Sequence, residues 1–200
     1  MEYRHELKFL VTDMQLMVLE SRLRPLMRQD MHQNGQAYRI RIYNEDPSVI
    51  KLEKKIKYRG MTRKEGLIIS EEDCRRYMEG KVSVLSESST SLEKEWYSQI
   101  KGSGMHPVCI VSYERQAFVE RIGNVRITFD RNISSCEKCD AFFDKNISST
   151  PLLPVGWHIL EVKYDELLPS YLAELLSLGE LQKATFSKYC YARNYGKRRG

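Results

Sequence analysis

The chain has no long hydrophobic run, and its apolar stretches stop far short of the roughly 20 residues that a membrane-spanning helix requires. Its start, Met1-Glu-Tyr-Arg-His-Glu6, lacks the apolar region of a secretory signal, so a cytoplasmic location with no membrane span is expected. Cysteine is scarce and odd in number, five in 200 residues, which suits reduced thiols and argues against a disulfide framework. Cys136-x-x-Cys139 has zinc-ligand spacing, but no second Cys or His pair follows at a matching distance, and it reads as an incidental loop pair. Neither sign of charge dominates: the net charge is only +5. A hydrophobic fraction of 42% and a charged fraction of 30% describe an ordinary globular chain, and 200 residues fit one domain with a substantial core.

What is present is a pattern. In residues 49–57, Lys51, Glu53, Lys55 and Lys57 recur at every second position, with Ile50, Leu52 and Ile56 between them. A strand sends successive side chains to opposite faces, so one face is charged and the other aliphatic, and Lys54 falls on the aliphatic side. Alone, this is a surface strand with a wet outer face. It is not alone.

Residues 3–11 alternate with Arg4, Glu6 and Lys8 on one face. Residues 38–43 carry Arg39 and Arg41 together, and 61–69 return as a hairpin partner carrying Lys64. Further strands are predicted over 108–119 with Arg115, over 125–133 with Arg126, Thr128 and Asp130, and over 157–164 with Glu161 and Lys163. Helices are predicted after a Thr12 or Asp13 cap as far as Pro25, from Ser70 to about residue 79, over 92–101 and over 167–178. Aromatics at helical spacing over 183–192 precede a basic end, Lys197-Arg-Arg199, that reads as solvated. Residues 27–36, 83–91 and 134–154 read as loops.

Charged faces on so many strands of one small chain point to a sheet whose polar side is a functional interior, and an antiparallel barrel would converge those side chains. Like charges gathered inside need water and a polyanion to neutralise them. Arg forks bind phosphate bidentately and Lys adds point charges, while Glu6, Glu53, Asp130 and Glu161 suit a hard divalent cation bridging phosphate oxygens. The residues therefore imply an oligophosphate tunnel with a metal.

Seven segments in order carry a resemblance: Arg4-His-Glu-Leu-Lys-Phe9, Tyr38-Arg-Ile-Arg41, Lys51-Leu-Glu-Lys-Lys55, Tyr113-Glu-Arg-Gln-Ala-Phe118, Arg126-Ile-Thr-Phe-Asp130, Ile159-Leu-Glu-Val-Lys-Tyr164 and Phe186-Ser-Lys-Tyr189. With them the chain resembles the triphosphate tunnel metalloenzymes (the CYTH-like superfamily), and within them the polyphosphate polymerase, or VTC (vacuolar transporter chaperone), domains. The resemblance implies an α+β fold, one tunnel domain over residues 1–200, built as an antiparallel β-barrel with flanking helices. It implies Lys8, Arg39, Arg41, Lys55, Lys57, Lys64, Arg115, Arg126 and Lys188 as phosphate binders, with Lys51 and Lys163 joining the basic lining. Four of these, Arg39, Arg41, Lys55 and Arg115, are with Glu161 the catalytic residues the resemblance implies. Glu161 is the expected ligand of a Mn2+ or Mg2+ ion, with Glu6, Glu53 and Asp130 as supporting acids. The implied partners are polyphosphate or a nucleoside triphosphate.

The chain departs from the family in two places. Arg4 stands where the wider superfamily's ExExK pattern opens with glutamate, which favours the VTC branch over triphosphatases. Family members also carry a further strand and an aromatic loop before the Tyr38 strand, where this chain has only a polar stretch, so either the barrel is incomplete on that side or a segment is absent from this sequence. Three activities are compatible with the residues: polymer synthesis, triphosphate hydrolysis, and polyphosphate binding without turnover. A nucleic-acid-binding barrel is disfavoured because aromatics are not concentrated on the charged faces.

Overall fold

Strand-length alternation produces strands, and the described strands join one antiparallel sheet. The computed structural model describes residues 5–23, 28–30, 34–37, 40–58, 61–82, 85, 87, 89–176 and 181–197. In chain order the strands are β1 (His5–Thr12), β2 (Arg28–Asp30), β3 (Asn34–Ala37), β4 (Ile40–Tyr43), β5 (Asp46–Tyr58), β6 (Met61–Ile69), β7 (Ile110–Glu120), β8 (Val125–Cys136), β9 (Thr150–Pro151), β10 (Trp157–Tyr164) and β11 (Gln182–Lys183). The helices are α1 (Asp13–Leu23), α2 (Glu71–Met78), α3 (Ser91–Ser103), α4 (Ser170–Leu176) and α5 (Lys188–Lys197). The strands lie in the order β11-β1-β10-β8-β7-β3-β4-β5-β6, with β2 beside β7 and β9 beside β8.

Local chemistry sets the helix starts. Ser70 caps α2 by accepting from the Asp73 amide at 3.0 Å, and Thr90 and Glu93 form a reciprocal capping box on α3. The turn from β4 to β5 holds Asn44 and Glu45 at φ 54° and 56°, the left-handed pair of a tight hairpin.

The apolar faces of the strands are covered from outside. Phe118, Ile127, Phe129, Leu160 and Val162 pack under α1 and α4 through Leu16, Leu19, Leu23 and Leu172. Ile40, Ile42, Ile50, Leu52 and Ile69 pack under α2 and α3 through Cys74, Tyr77, Trp96 and Ile100. Lys54 points to this outer side and pairs with Glu95 of α3 at 2.6 Å, as its parity predicts. No described helix is long and apolar enough to cross a membrane.

The opposite face curls inward. β1 and β5 lie six strand steps apart along the ladder, roughly 29 Å if the sheet were flat. Yet the Glu6 carboxylate of β1 lies 3.5 Å from the Lys55 ammonium of β5. The sheet is therefore almost wrapped on itself but does not close into a barrel: among the described residues no ladder joins β1 to β6, so the gap lies there and not before Tyr38, where β3 pairs with both β7 and β4. Part of the outer edge of β1 is taken by β11, which pairs at Phe9 and Leu10, so side chains and not backbone bonds bridge the seam.

Two segments read as loops contain strands. The polar stretch 27–36 supplies β2, and β3, whose backbone pairs with both β7 and β4 and so joins the two halves of the sheet. β8 continues past the predicted boundary to Cys136 through a bulge. There Asn132 adopts φ 49° and hydrogen-bonds Glu114 from outside, so that Asp130 and Ile133 both face inward. Beyond it, Cys139–Phe143 forms a 3-10 turn. The helix suggested over 183–192 begins only at Lys188.

Candidate functional site

Cross-strand register assembles the inner face residue by residue. Glu6 opposes Lys163, which opposes Arg126; Lys8 opposes Glu161, which opposes Thr128; Asp130 opposes Arg115. On the other wall Arg41 opposes Lys51, Glu53 opposes Gly66 and Lys55 opposes Lys64. The predicted set is thus brought to one groove, with two exceptions: Arg39 lies outside the described residues, and so does the side chain of Lys57.

The wall built by β1, β10, β8 and β7 is internally compensated. Arg115 grips Asp130 with Nε to Oδ1 at 2.6 Å and NH2 to Oδ2 at 2.7 Å, and Lys188 of α5 reaches the same Oδ2. Lys163 pairs with Glu161. Lys8 sits between two acids, 2.9 Å from Glu6 and 3.6 Å from Glu161, and donates to the Phe186 carbonyl at 2.9 Å. Burial opposes ionisation of Glu161, but Lys163, Arg115 and Lys8 outweigh it and hold the carboxyl well below the usual range. Asp130 behaves alike, its burial overcome by Lys188 and Arg115.

The β4–β5–β6 wall is different. Arg41 meets Glu53 at 3.3 Å, and Glu53 is the only carboxylate among the predicted residues of this wall. Lys55 and Lys64 stand directly opposite one another, a pairing that destabilises a ladder unless an anion intervenes. Desolvation, with repulsion from Arg41 and Lys163, pushes the Lys64 ammonium down to about 8 even though solvent reaches its side chain.

Two tyrosines belong to the site beside the predicted charges. Arg41 and Lys51 flank the Tyr43 ring at 5.8 and 5.6 Å, and Arg115 and Lys188 flank the Tyr113 ring at 4.9 and 4.8 Å. Aromatics are therefore present on the charged faces, where the sequence reading finds none concentrated. The signal was available, because Tyr43 shares the parity of Arg41 and Tyr113 that of Arg115. Tyr113 is nevertheless buried and offers no open stacking platform.

The acids fit a divalent cation in part. Among the described residues no group of three or more His, Cys, Asp or Glu is placed to hold an ion unaided. Asp130 and Glu53 are engaged by guanidinium groups, so the supporting role predicted for them does not match the geometry. Glu161 and Glu6 lie close enough to raise each other's cost of ionisation, and the Glu6 Oε2 atom is buried without a hydrogen bond. Two such carboxylates suit an Mg2+-like ion that keeps waters and phosphate oxygens as its remaining ligands, with Lys8 displaced. The Cys136–Cys139 pair has no comparable character: burial, then Cys109 and Cys136, push the Cys139 thiol up to about 11.

Past Asp130 the inner face turns apolar. Val111, Tyr113, Ile133 and Ile159 pack with Phe186 and with Ala192 of α5, which fills that end of the groove.

None of the curated proteins compared with the chain matches it. The profile of the VTC domain matches residues 28–195, which leaves out β1 but takes in every other element that lines the groove. A match over most of the chain, together with the charged inner face it encloses, shows that this protein belongs to the VTC domain family.

Proposed function

We propose that the groove binds an oligophosphate, and that the protein transfers the terminal phosphoryl group of a nucleoside triphosphate to the end of a polyphosphate chain. The observation that supports this best is the gathering of cations on the β4–β5–β6 wall, where Lys55, which also meets Glu6, faces Lys64, and Arg41, which meets Glu53, adds a third positive group. Phosphate oxygens would add to the partners these side chains already have, meeting the Arg41 fork bidentately and the lysines as point charges. As the phosphoryl group passes between donor and acceptor oxygens, charge spreads over its equatorial oxygens, and fixed cations on both walls stabilise it. Glu161 and Glu6 would hold a Mn2+ or Mg2+ ion, which when bound supplies Lewis-acid charge to the phosphate oxygens. In this reading the near-closed sheet acts as the tunnel, its seam bridged by Lys55 and Glu6.

Purified protein with Mn2+ and a nucleoside triphosphate is expected to release nucleoside diphosphate and lengthen a polyphosphate primer. Release of inorganic phosphate with no polymer would instead identify a hydrolase using water. Lys8, lodged between Glu6 and Glu161, favours a second reading, a binding module without turnover. Salt-sensitive tripolyphosphate affinity with neither product would decide for it.

Parity gives a direct check. Lys55→Ala is expected to weaken tripolyphosphate binding measured by calorimetry, whereas Lys54→Ala leaves it unchanged and alters stability by no more than about 1 kcal/mol. Equal loss in the two variants would sink the inward assignment of Lys55.

Lys64 gives a second. A polyanion stabilises the charged ammonium, so its pKa of about 8 in the free protein rises on binding. Above pH 8 binding should take up protons, and affinity should fall as pH rises. Calorimetry in buffers of different ionisation enthalpy would measure the uptake, which Lys64→Met should remove. Uptake that persists in Lys64→Met would assign it to another group.

A further inference from the structure

We infer that Asp130 is a positioning residue and not a metal ligand: it aims the Arg115 guanidinium and fastens Lys188, and through it helix α5, at the apolar end of the groove. The inference rests on the phosphate-binding reading for its functional consequence, but its structural half stands apart from it.

Asp130 is fully buried, and both carboxylate oxygens are taken, Oδ1 by Arg115 and Oδ2 by Arg115 and Lys188. A metal ligand must present a lone pair to a space that an ion and its waters can enter, and this carboxylate presents none. Glu6 contrasts with it, because its Oε2 atom accepts no hydrogen bond and is met by the Lys55 ammonium only at the longer distance of 3.5 Å. What Asp130 does offer is geometry. The bidentate contact fixes the guanidinium plane, which leaves the remaining N–H donors of Arg115 oriented beside Tyr113.

The third partner extends the role. Lys188 opens α5, and Ala192 one turn later is buried in the cluster that closes the groove. Just before the helix, Phe186 enters the same cluster while its carbonyl accepts from Lys8. The C-terminal segment is thus pinned at two polar points, Lys188 to Asp130 and Phe186 to Lys8, with apolar packing between them. Neutralising Asp130 removes one pin and frees the Arg115 fork in the same step.

The test compares Asp130→Asn, Asp130→Glu and Glu161→Gln in the full chain. Three readouts are used: Mn2+ binding by electron paramagnetic resonance without phosphate, tripolyphosphate binding by calorimetry, and amide hydrogen exchange of α5. Asp130→Asn should leave Mn2+ affinity unchanged, weaken tripolyphosphate binding about 10–100-fold, the range typical of residues that orient a ligating group, and speed α5 exchange. Asp130→Glu should recover part of both losses. Glu161→Gln should weaken Mn2+ binding with α5 exchange unchanged. The inference is overturned if Asp130→Asn lowers Mn2+ affinity as much as Glu161→Gln does, or if α5 exchange stays slow when Asp130 is neutral. If the unaltered protein binds no tripolyphosphate, the phosphate reading fails, and α5 exchange still decides the role of Asp130. Should Asp130→Asn not fold, Lys188→Met cuts the same tether with the carboxylate retained; unchanged α5 exchange in that variant overturns the inference.

Discussion

Arg115→Ala is expected to destabilise the protein by about 3–5 kcal/mol, the loss typical when one partner of a buried ion pair is removed. Asp130 has no exposed surface and would keep only Lys188, so a buried negative charge would be left half compensated. Urea unfolding should show the loss as a lower midpoint without a change of slope. The pH dependence fixes the sign. Asp130 and Glu161 titrate below their ordinary range in the folded protein, so the stability they contribute is present above about pH 4 and is lost as pH falls through their lowered values. Removing Arg115 should raise the Asp130 value and move the acid limb of the stability curve upward. The triple replacement Arg115→Met, Asp130→Leu and Lys188→Met should restore much of the stability, because all three members of the buried charge cluster are then apolar, but it should not restore phosphate binding. A destabilisation of Arg115→Ala below about 1 kcal/mol would show that the pair is solvated and that its bidentate geometry contributes little.

Arg41→Ala is expected to lower turnover of a nucleoside triphosphate by about a thousandfold or more, the range observed when an arginine that neutralises a transferring phosphoryl group is lost. Arg41 is held on β4 by the outer burial of Ile40 and Ile42, and it meets Glu53 and the Tyr43 hydroxyl on the inner face. Its neighbours on that wall are lysines, which cannot reproduce a bidentate fork, and Arg41→Lys should therefore recover only a small part of the activity. Stability should change little, since the contact with Glu53 is partly solvated. Steady-state release of diphosphate, with circular dichroism as the folding control, would measure both. A loss smaller than tenfold would remove Arg41 from the phosphoryl-transfer site and return weight to the binding-module reading.

The sequence was legible where structure is local. Alternation named β1, β4, β5, β6, β7, β8 and β10, and the cap at Ser70 lies where the short polar residue predicts it. It was illegible where backbone pairing is made by strands of two to four residues. β2, β3, β9 and β11 are too short for a period-two signal, and a polar stretch such as 34–37 becomes a strand only because β7 and β4 present free edges on either side. The bulge at Asn132 was hidden for a related reason. Strict alternation would put Asn132 inside with Asp130, but one inserted residue sends it out and brings Ile133 in.

The candidate site divides along the same line. Parity alone determined that Lys51, Glu53 and Lys55 share a face and that Lys54 does not, because the direction of a side chain along a strand depends only on its own backbone. Which groups each cation meets was decided in large part by tertiary structure. Lys8, Lys163, Arg115 and Lys188 looked equivalent to Lys55 and Lys64 in sequence, yet Lys8 and Lys163 meet Glu6 and Glu161 on their own strands, Arg115 and Lys188 meet Asp130 from other elements, and Lys55 faces Lys64 while reaching Glu6 across the seam. The physical reason is range: alternation is set between adjacent residues, and so are the same-strand pairs Lys8–Glu6 and Lys163–Glu161, whereas the contacts of Arg115 and Lys188 with Asp130 and of Lys8 with Glu161 are set by whichever element the fold brings alongside, from 15 to more than 150 residues away.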